Sequence, residues 1–119
     1  MKMLFQALLL ALLLTTVHAK EVSFNGIKPV VIIDVRTPEE FAVGHIDGAI
    51  NIPVDLIGQG IQSIKGLKKE SAILVYCRSG RRSGIAKTTL EQNGFKRILD
   101  GGGMESLAHN LKTCTNKVC

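Results

Sequence analysis

The chain has 119 residues, a formal net charge of +5 and a hydrophobic content of 45%. A chain of this length makes one ordinary domain. Its small positive excess holds no long basic run, and with four Phe, one Tyr and no Trp it lacks stacking platforms for single-stranded nucleic acid. A small anionic substrate explains the charge better than a nucleic-acid partner does.

The first element is not a fold element. Lys2 gives a positive start, ALLLALLL fills positions 7–14, and Val17-His18-Ala19 offers a small-residue cleavage site. This is the pattern of a secretory signal peptide. The apolar run falls short of the roughly 20 residues of a comfortable membrane span; an uncleaved anchor is the alternative. Lys20, not a cysteine, stands directly after Ala19, which speaks against a lipoprotein. The expected organisation is a signal peptide over 1–19, one domain over 20–112 and a tail over 113–119. Export, to the periplasm in the first place, would leave no stable membrane anchor after cleavage. The remaining roughly 100 residues suffice for a modest core.

Apolar and amphipathic stretches then alternate. An edge strand is expected at 22–24. Residues 30–35 (VVIIDV) form a β-branched run without alternation, the mark of a strand covered on both faces. Thr37 can cap a short helix, with Pro38 in its first turn, Glu40 completing a capping box and Gly44 as its stop. Residues 49–52 read as a second short strand ended by Pro53. Residues 54–64 are weakly helical, with Gly58 and Gly60 against them. Residues 72–76 (AILVY) are a third buried strand, 83–93 a helix stopped by Gly94, and 97–99 a further strand. Gly101, Gly102 and Gly103 are expected to make a flexible turn into a last helix at about 104–111. Strands alternating with helices imply an α/β fold with a mostly parallel sheet. In such sheets ligands sit beyond the carboxyl ends of the strands, where Cys77 falls.

The segment 76–84, YCRSGRRSG, carries the chemistry. A thiol between a buried strand and a helix faces the helix N-terminus, where unpaired N–H groups converge. A glycine-containing loop can curl such groups into an anion nest. Arg78, Arg81 and Arg82 add positive charge. Each effect favours the thiolate, the reactive form of cysteine. An inert buried cysteine is the competing reading, but it needs no cationic loop.

YCRSGRRSG resembles the active-site loop of rhodanese domains. The segments DVRTPEEF at 34–41 and GHIDGAINIP at 44–53 resemble the family's other hallmark, and DGGG at 100–103 its glycine-rich last one. The likeness runs from about Val31 to Leu107. It implies a three-layer fold, with a parallel sheet of about five strands and helices on both faces. It also implies thiosulfate sulfurtransferase activity without a cofactor. Cys77 would attack the outer sulfur of thiosulfate, expel sulfite and hold a persulfide, which cyanide, a thiol or a protein sulfur acceptor then collects. Arg78, Ser79, Gly80, Arg81, Arg82 and Ser83 would bind the substrate. Two departures stand out: the region before Val30 is short, and Leu107 takes the place of a tryptophan common in the last helix.

Asp34 and Arg36 read as a structural pair tying strand ends, with a functional role beside the loop as the alternative. His45 reads as a hydrogen-bonding residue rather than a base, and His109 as a solvated helix residue. No His/Cys spacing suggests a metal site.

Two other functions compete. The fold is shared with dual-specificity phosphatases, whose loop reads Cys-x5-Arg; here the sixth residue after Cys77 is Ser83, a loop one residue short. A sulfur-delivery or binding module without useful turnover is the other. Cys114 and Cys119 are expected to form a disulfide with each other in an oxidising compartment. A tail thiol that resolves the Cys77 persulfide, or two free tail thiols, are the alternatives.

Overall fold

A computed structural model of the chain describes residues 21–114. The expected signal peptide and Cys119 lie outside these residues. Among the described residues no helix is long and apolar enough to cross a membrane.

The central sheet has four parallel strands in the order β3-β2-β4-β5. They are β2 (Val31–Asp34), β3 (Ile50–Asn51), β4 (Ala72–Cys77) and β5 (Arg97–Gly103). The sheet has one strand fewer than expected. The segment expected as a further edge strand, β1 (Val22–Ser23), leaves it and pairs antiparallel with β6 (Lys112–Thr113). Only two residues of β1 find ladder partners, Val22 opposite Thr113 and Ser23 opposite Lys112, so the short N-terminal region closes against the chain end instead of the sheet.

Side chains alternate across a strand, and this alternation divides the core into two layers. Ile33, Ile73, Val75, Cys77 and Ile98 point to one face, with Ile57, Ile61, Ala86 and Leu90 packed on them. These last four come from α2 (Ile57–Gly60), the 3₁₀ turn after it and α3 (Arg81–Gln92). Ile32, Leu74 and Tyr76 point to the other face, with Leu107 of α4 (Met104–Asn110), Phe41 of α1 (Pro38–Val43) and Val22 of the ribbon. Ile33, Ile73, Leu74 and Val75 are completely buried, which explains why β2 and β4 read as continuous apolar runs. Helices therefore cover both faces. Leu107, fully buried, is the anchor of the α4 layer.

Local signals set the helix ends. Thr37 Oγ1 accepts from the Glu40 N–H, and Glu40 Oε1 accepts from the Thr37 N–H, each at 3.2 Å. This is the reciprocal capping box. The weakly helical stretch breaks into a 3₁₀ turn at Val54–Leu56, the single turn α2 and a 3₁₀ turn at Ile61–Ser63. Two expectations need correction. Helix α3 starts at Arg81 rather than Ser83, so Arg81, Arg82 and Ser83 form its first turn. The three glycines are not a flexible turn: β5 continues through them, and Gly103 pairs with Cys77 past a bulge in β4.

Candidate active site

Cys77 is the last residue of β4 and is 1% exposed. The chain after it must turn sharply into α3. Gly80 makes the turn with φ 101°, in the left-handed region that favours glycine. The turn aims the Gly80 N–H at Cys77 Sγ, 2.9 Å away. The Ser83 hydroxyl, fully buried, lies 2.9 Å from the Gly80 carbonyl and donates to it.

Two opposed effects act on the thiol. Burial pushes Cys77 up. The Ser83 N–H and hydroxyl, with the N–H groups of Gly80 and Ser79, outweigh burial and bring the thiol below its ordinary value. The Ser83 proton serves either the Gly80 carbonyl or the sulfur, and a thiolate would draw it to the sulfur. Backbone donors and one hydroxyl thus lead, where the sequence reading named helix N–H groups, the glycine loop and the arginines alike.

The arginines have separate fates. Arg82 turns from the loop to Glu40, with Nη1–Oε1 2.6 Å and Nη2–Oε2 3.0 Å. The Glu40 pairing raises the Arg82 pKa first, and the charge of Cys77 adds to it. The same ion pair, with help from Thr37, holds the Glu40 carboxyl down at about 2. Arg78 is exposed beside Cys77, and Arg81 is exposed at the first position of α3. Ser79, also exposed, lies in the loop between Arg78 and Gly80.

Behind the loop lies a buried polar network. Arg36 Nη2 donates to Asp34 Oδ2 at 2.7 Å, and Arg36 Nε bridges both carboxylate oxygens at 3.0 Å. Arg36 also donates to the Gly44 carbonyl at 2.6 Å. The Tyr76 hydroxyl donates to Asp34 Oδ2 at 2.8 Å and accepts from the Ile46 N–H at 3.0 Å. Asn51 Nδ2 donates to the carbonyls of Asp34 and Arg36, both at 3.0 Å. Every carboxylate and guanidinium here is paired, as buried charge requires. The Asp34 bonds raise the Arg36 pKa against burial; burial raises that of Tyr76. His45 is exposed, stacks on Phe41 at 3.6 Å and hydrogen-bonds the Phe41 carbonyl through Nδ1 at 2.8 Å.

An open cleft of about 390 Å³ adjoins the loop, lined by Arg36, Glu40, Val43, Arg78, Met104 and Glu105. Gly103 lines the recess next to it. A Cβ there would stand 2.7 Å from the Arg78 carbonyl, so only glycine lets β5 pass so close under the loop. Sequence reading missed Glu40 as the partner of Arg82, the Tyr76–Asp34 bond and this close approach. For the first no local signal was available, because Glu40 already completes the cap of its own helix. Cys77 is a free thiol and Cys114 is disulfide-bonded; α4 ends at Asn110, before Cys114.

A parallel α/β sheet whose interior strand delivers a cysteine into an N–H-lined turn makes a thiol loop suited to an anion. The chain belongs to the rhodanese family: the profile of the Rhodanese-like domain matches residues 19–108. The chain is 38% identical over 76 residues to the Escherichia coli K12 thiosulfate sulfurtransferase PspE, a match covering 64% of this chain and 72% of that one. It is 40% identical over 84 residues to a putative mitochondrial thiosulfate sulfurtransferase of Schizosaccharomyces pombe, covering 62% of this chain and 59% of the relative. Among solved structures, a rhodanese with anions from E. coli superposes with a TM-score of 0.62 at 34% identity. That match covers 71% of this chain and 98% of the other. The family and these relatives make sulfur transfer the activity class.

Proposed function

We propose that this protein is a thiosulfate sulfurtransferase that carries sulfane sulfur as a persulfide on Cys77. The observation that carries the reading is the Cys77 sulfur at the end of β4. It receives the Gly80 N–H at 2.9 Å, and its thiol is held below its ordinary value despite burial. The thiolate attacks the outer sulfur of thiosulfate. A new S–S bond forms to Cys77, the bond inside thiosulfate breaks, and sulfite leaves with the electron pair. The N–H groups of Ser79, Gly80 and Ser83 then hold the persulfide anion. Arg78 meets the incoming anion from the open side, and Arg81 and Arg82 add positive field from the first turn of α3. A thiol, cyanide or a protein acceptor attacks the outer persulfide sulfur and returns Cys77 as thiolate. Asp34 and Arg36 act as support. No step calls for a cofactor.

The phosphatase alternative has less support, because Arg82 is committed to Glu40 and Ser83 occupies the place of the phosphate-binding arginine. Export to the periplasm remains our proposal from residues 1–19; fractionation of the full chain checks it, with a shortened product expected outside the cytoplasm. A thiosulfate:cyanide assay tests the function. Cys77→Ser should abolish turnover, and sulfur transfer undiminished in that variant would overturn the proposal. Persulfide formation without multiple turnover would favour the sulfur-delivery alternative.

A further inference from the structure

The cleft beside Cys77 is larger than its proposed donor needs. Thiosulfate has five heavy atoms, roughly 150 Å³ if each takes the volume share of a water molecule. The cleft holds about 390 Å³, within the range of sites for organic molecules. The remaining space suits the second substrate, the acceptor.

Its charges show which acceptor. Four charged residues line the cleft, and two are committed. Arg36 is held by Asp34 and the Gly44 carbonyl, and Glu40 by Arg82 and Thr37. Arg78 and Glu105 are exposed, and neither takes part in an ion pair, with each other or with any other described residue. Both also line the adjoining recess with Ser79, Gly103, Ser106 and His109, so they stand at the junction of the two hollows, next to the persulfide loop. Val43, 92% exposed, and the half-buried Met104 line the same cleft and offer apolar contact. A cation and an anion without ion-pair partners on one part-apolar cleft are complementary to a zwitterion.

Resting on the sulfurtransferase reading above, we propose that Glu105 makes this protein selective for a zwitterionic thiol acceptor, of the amino-acid or small-peptide class. The acceptor carboxylate pairs with Arg78 and its ammonium with Glu105, which turns the thiolate toward Cys77. The acceptor sulfur attacks the outer persulfide sulfur, a new S–S bond forms on the acceptor, and the S–S bond to Cys77 breaks. Cys77 leaves as thiolate, and no oxidant or reductant is consumed.

The test is single-turnover transfer from the full protein preloaded with thiosulfate, freed of excess donor and checked by mass. Three acceptors are compared at equal thiolate concentration: cysteine, cysteamine, which lacks the carboxylate, and 3-mercaptopropionate, which lacks the ammonium. Glu105→Gln should slow transfer to cysteine and cysteamine about three- to fivefold, as expected of an exposed ion pair. It should leave 3-mercaptopropionate as fast or faster, and the difference should shrink at high salt. Equal change for all three acceptors, or no change for any, overturns the proposal while leaving the sulfurtransferase reading intact. Failure of the wild-type protein to load sulfur overturns both.

Discussion

Glu40 and Arg82 lie 42 positions apart in the chain and meet through two parallel hydrogen bonds, at 2.6 and 3.0 Å. The pair joins the N-terminus of α1 to the first turn of α3. One carboxylate thereby serves both a helix cap and the loop that carries Cys77. Such two-bonded pairs fix orientation as well as charge.

This pair predicts opposite shifts of the Cys77 thiol. Arg82→Ala removes a cation that couples to Cys77, so the midpoint of alkylation rate against pH should rise, by less than about 1 unit because Glu40 already offsets the charge. Glu40→Gln leaves Arg82 uncompensated, and the midpoint should fall. Shifts in the same direction would contradict the coupling. The pair also bears on acid stability. The Glu40 carboxyl is lowered from 4.5 to about 2, so its contribution is complete above 4.5 and lost as pH falls toward 2. Glu40→Gln should flatten that part of the stability–pH curve.

Ser83→Ala tests whether close donors, rather than distant charge, govern the thiol. Burial raises Cys77, and Ser83 is foremost among the groups that overcome it. A hydrogen bond to a charged group contributes about 1.5–3 kcal/mol, so loss of the hydroxyl should raise the alkylation midpoint by roughly 1–2 units. A midpoint unchanged from wild type would assign the effect elsewhere.

The Asp34–Arg36–Tyr76 network predicts a graded loss of stability. Asp34→Asn leaves the buried Arg36 guanidinium without its counter-charge and should cost about 3–5 kcal/mol. Tyr76→Phe removes a donor to Asp34 and an acceptor for Ile46, and should cost about 1–3 kcal/mol. Urea denaturation reads both. Equal costs would mean that Tyr76, not the ion pair, carries the network.

Gly103→Ala should damage the loop more than the fold. The new Cβ would meet the Arg78 carbonyl at 2.7 Å, and backbone rather than a flexible side chain is the obstacle. We expect kcat/KM for thiosulfate to fall by at least about tenfold, the effect of a misplacement near 1 Å, while the urea transition stays cooperative. Retention of full activity would show that the loop tolerates the shift.

Much of this arrangement was legible in the chain. The unbroken VVIIDV and AILVY runs gave β2 and β4, because strands buried on both faces need no alternation. Thr37 and Glu40 gave the start of α1 through local bonds alone. Cys77 stood out because a strand, a glycine turn and a helix follow in order. What the chain concealed depends on tertiary distance. The short β1 could pair with the sheet or with the chain end, and only the return of α4 decides for β6. Three successive glycines look flexible, yet here they serve a close strand–loop approach. Glu40 satisfies its own helix so well that nothing in its neighbourhood announces Arg82. Tyr76 points away from Cys77 because adjacent strand residues face opposite sides, and its partner Asp34 comes from the neighbouring strand.

The central claim is that Cys77 accepts sulfur, and intact-mass analysis after brief exposure to thiosulfate measures it most directly. The account predicts a gain of about 32 Da, one sulfur atom, through thiolate attack. Peptide mapping should place it on Cys77, cyanide should remove it, and Cys77→Ala should show no gain. No added mass on the wild-type protein, or the same gain in Cys77→Ala, would contradict the account.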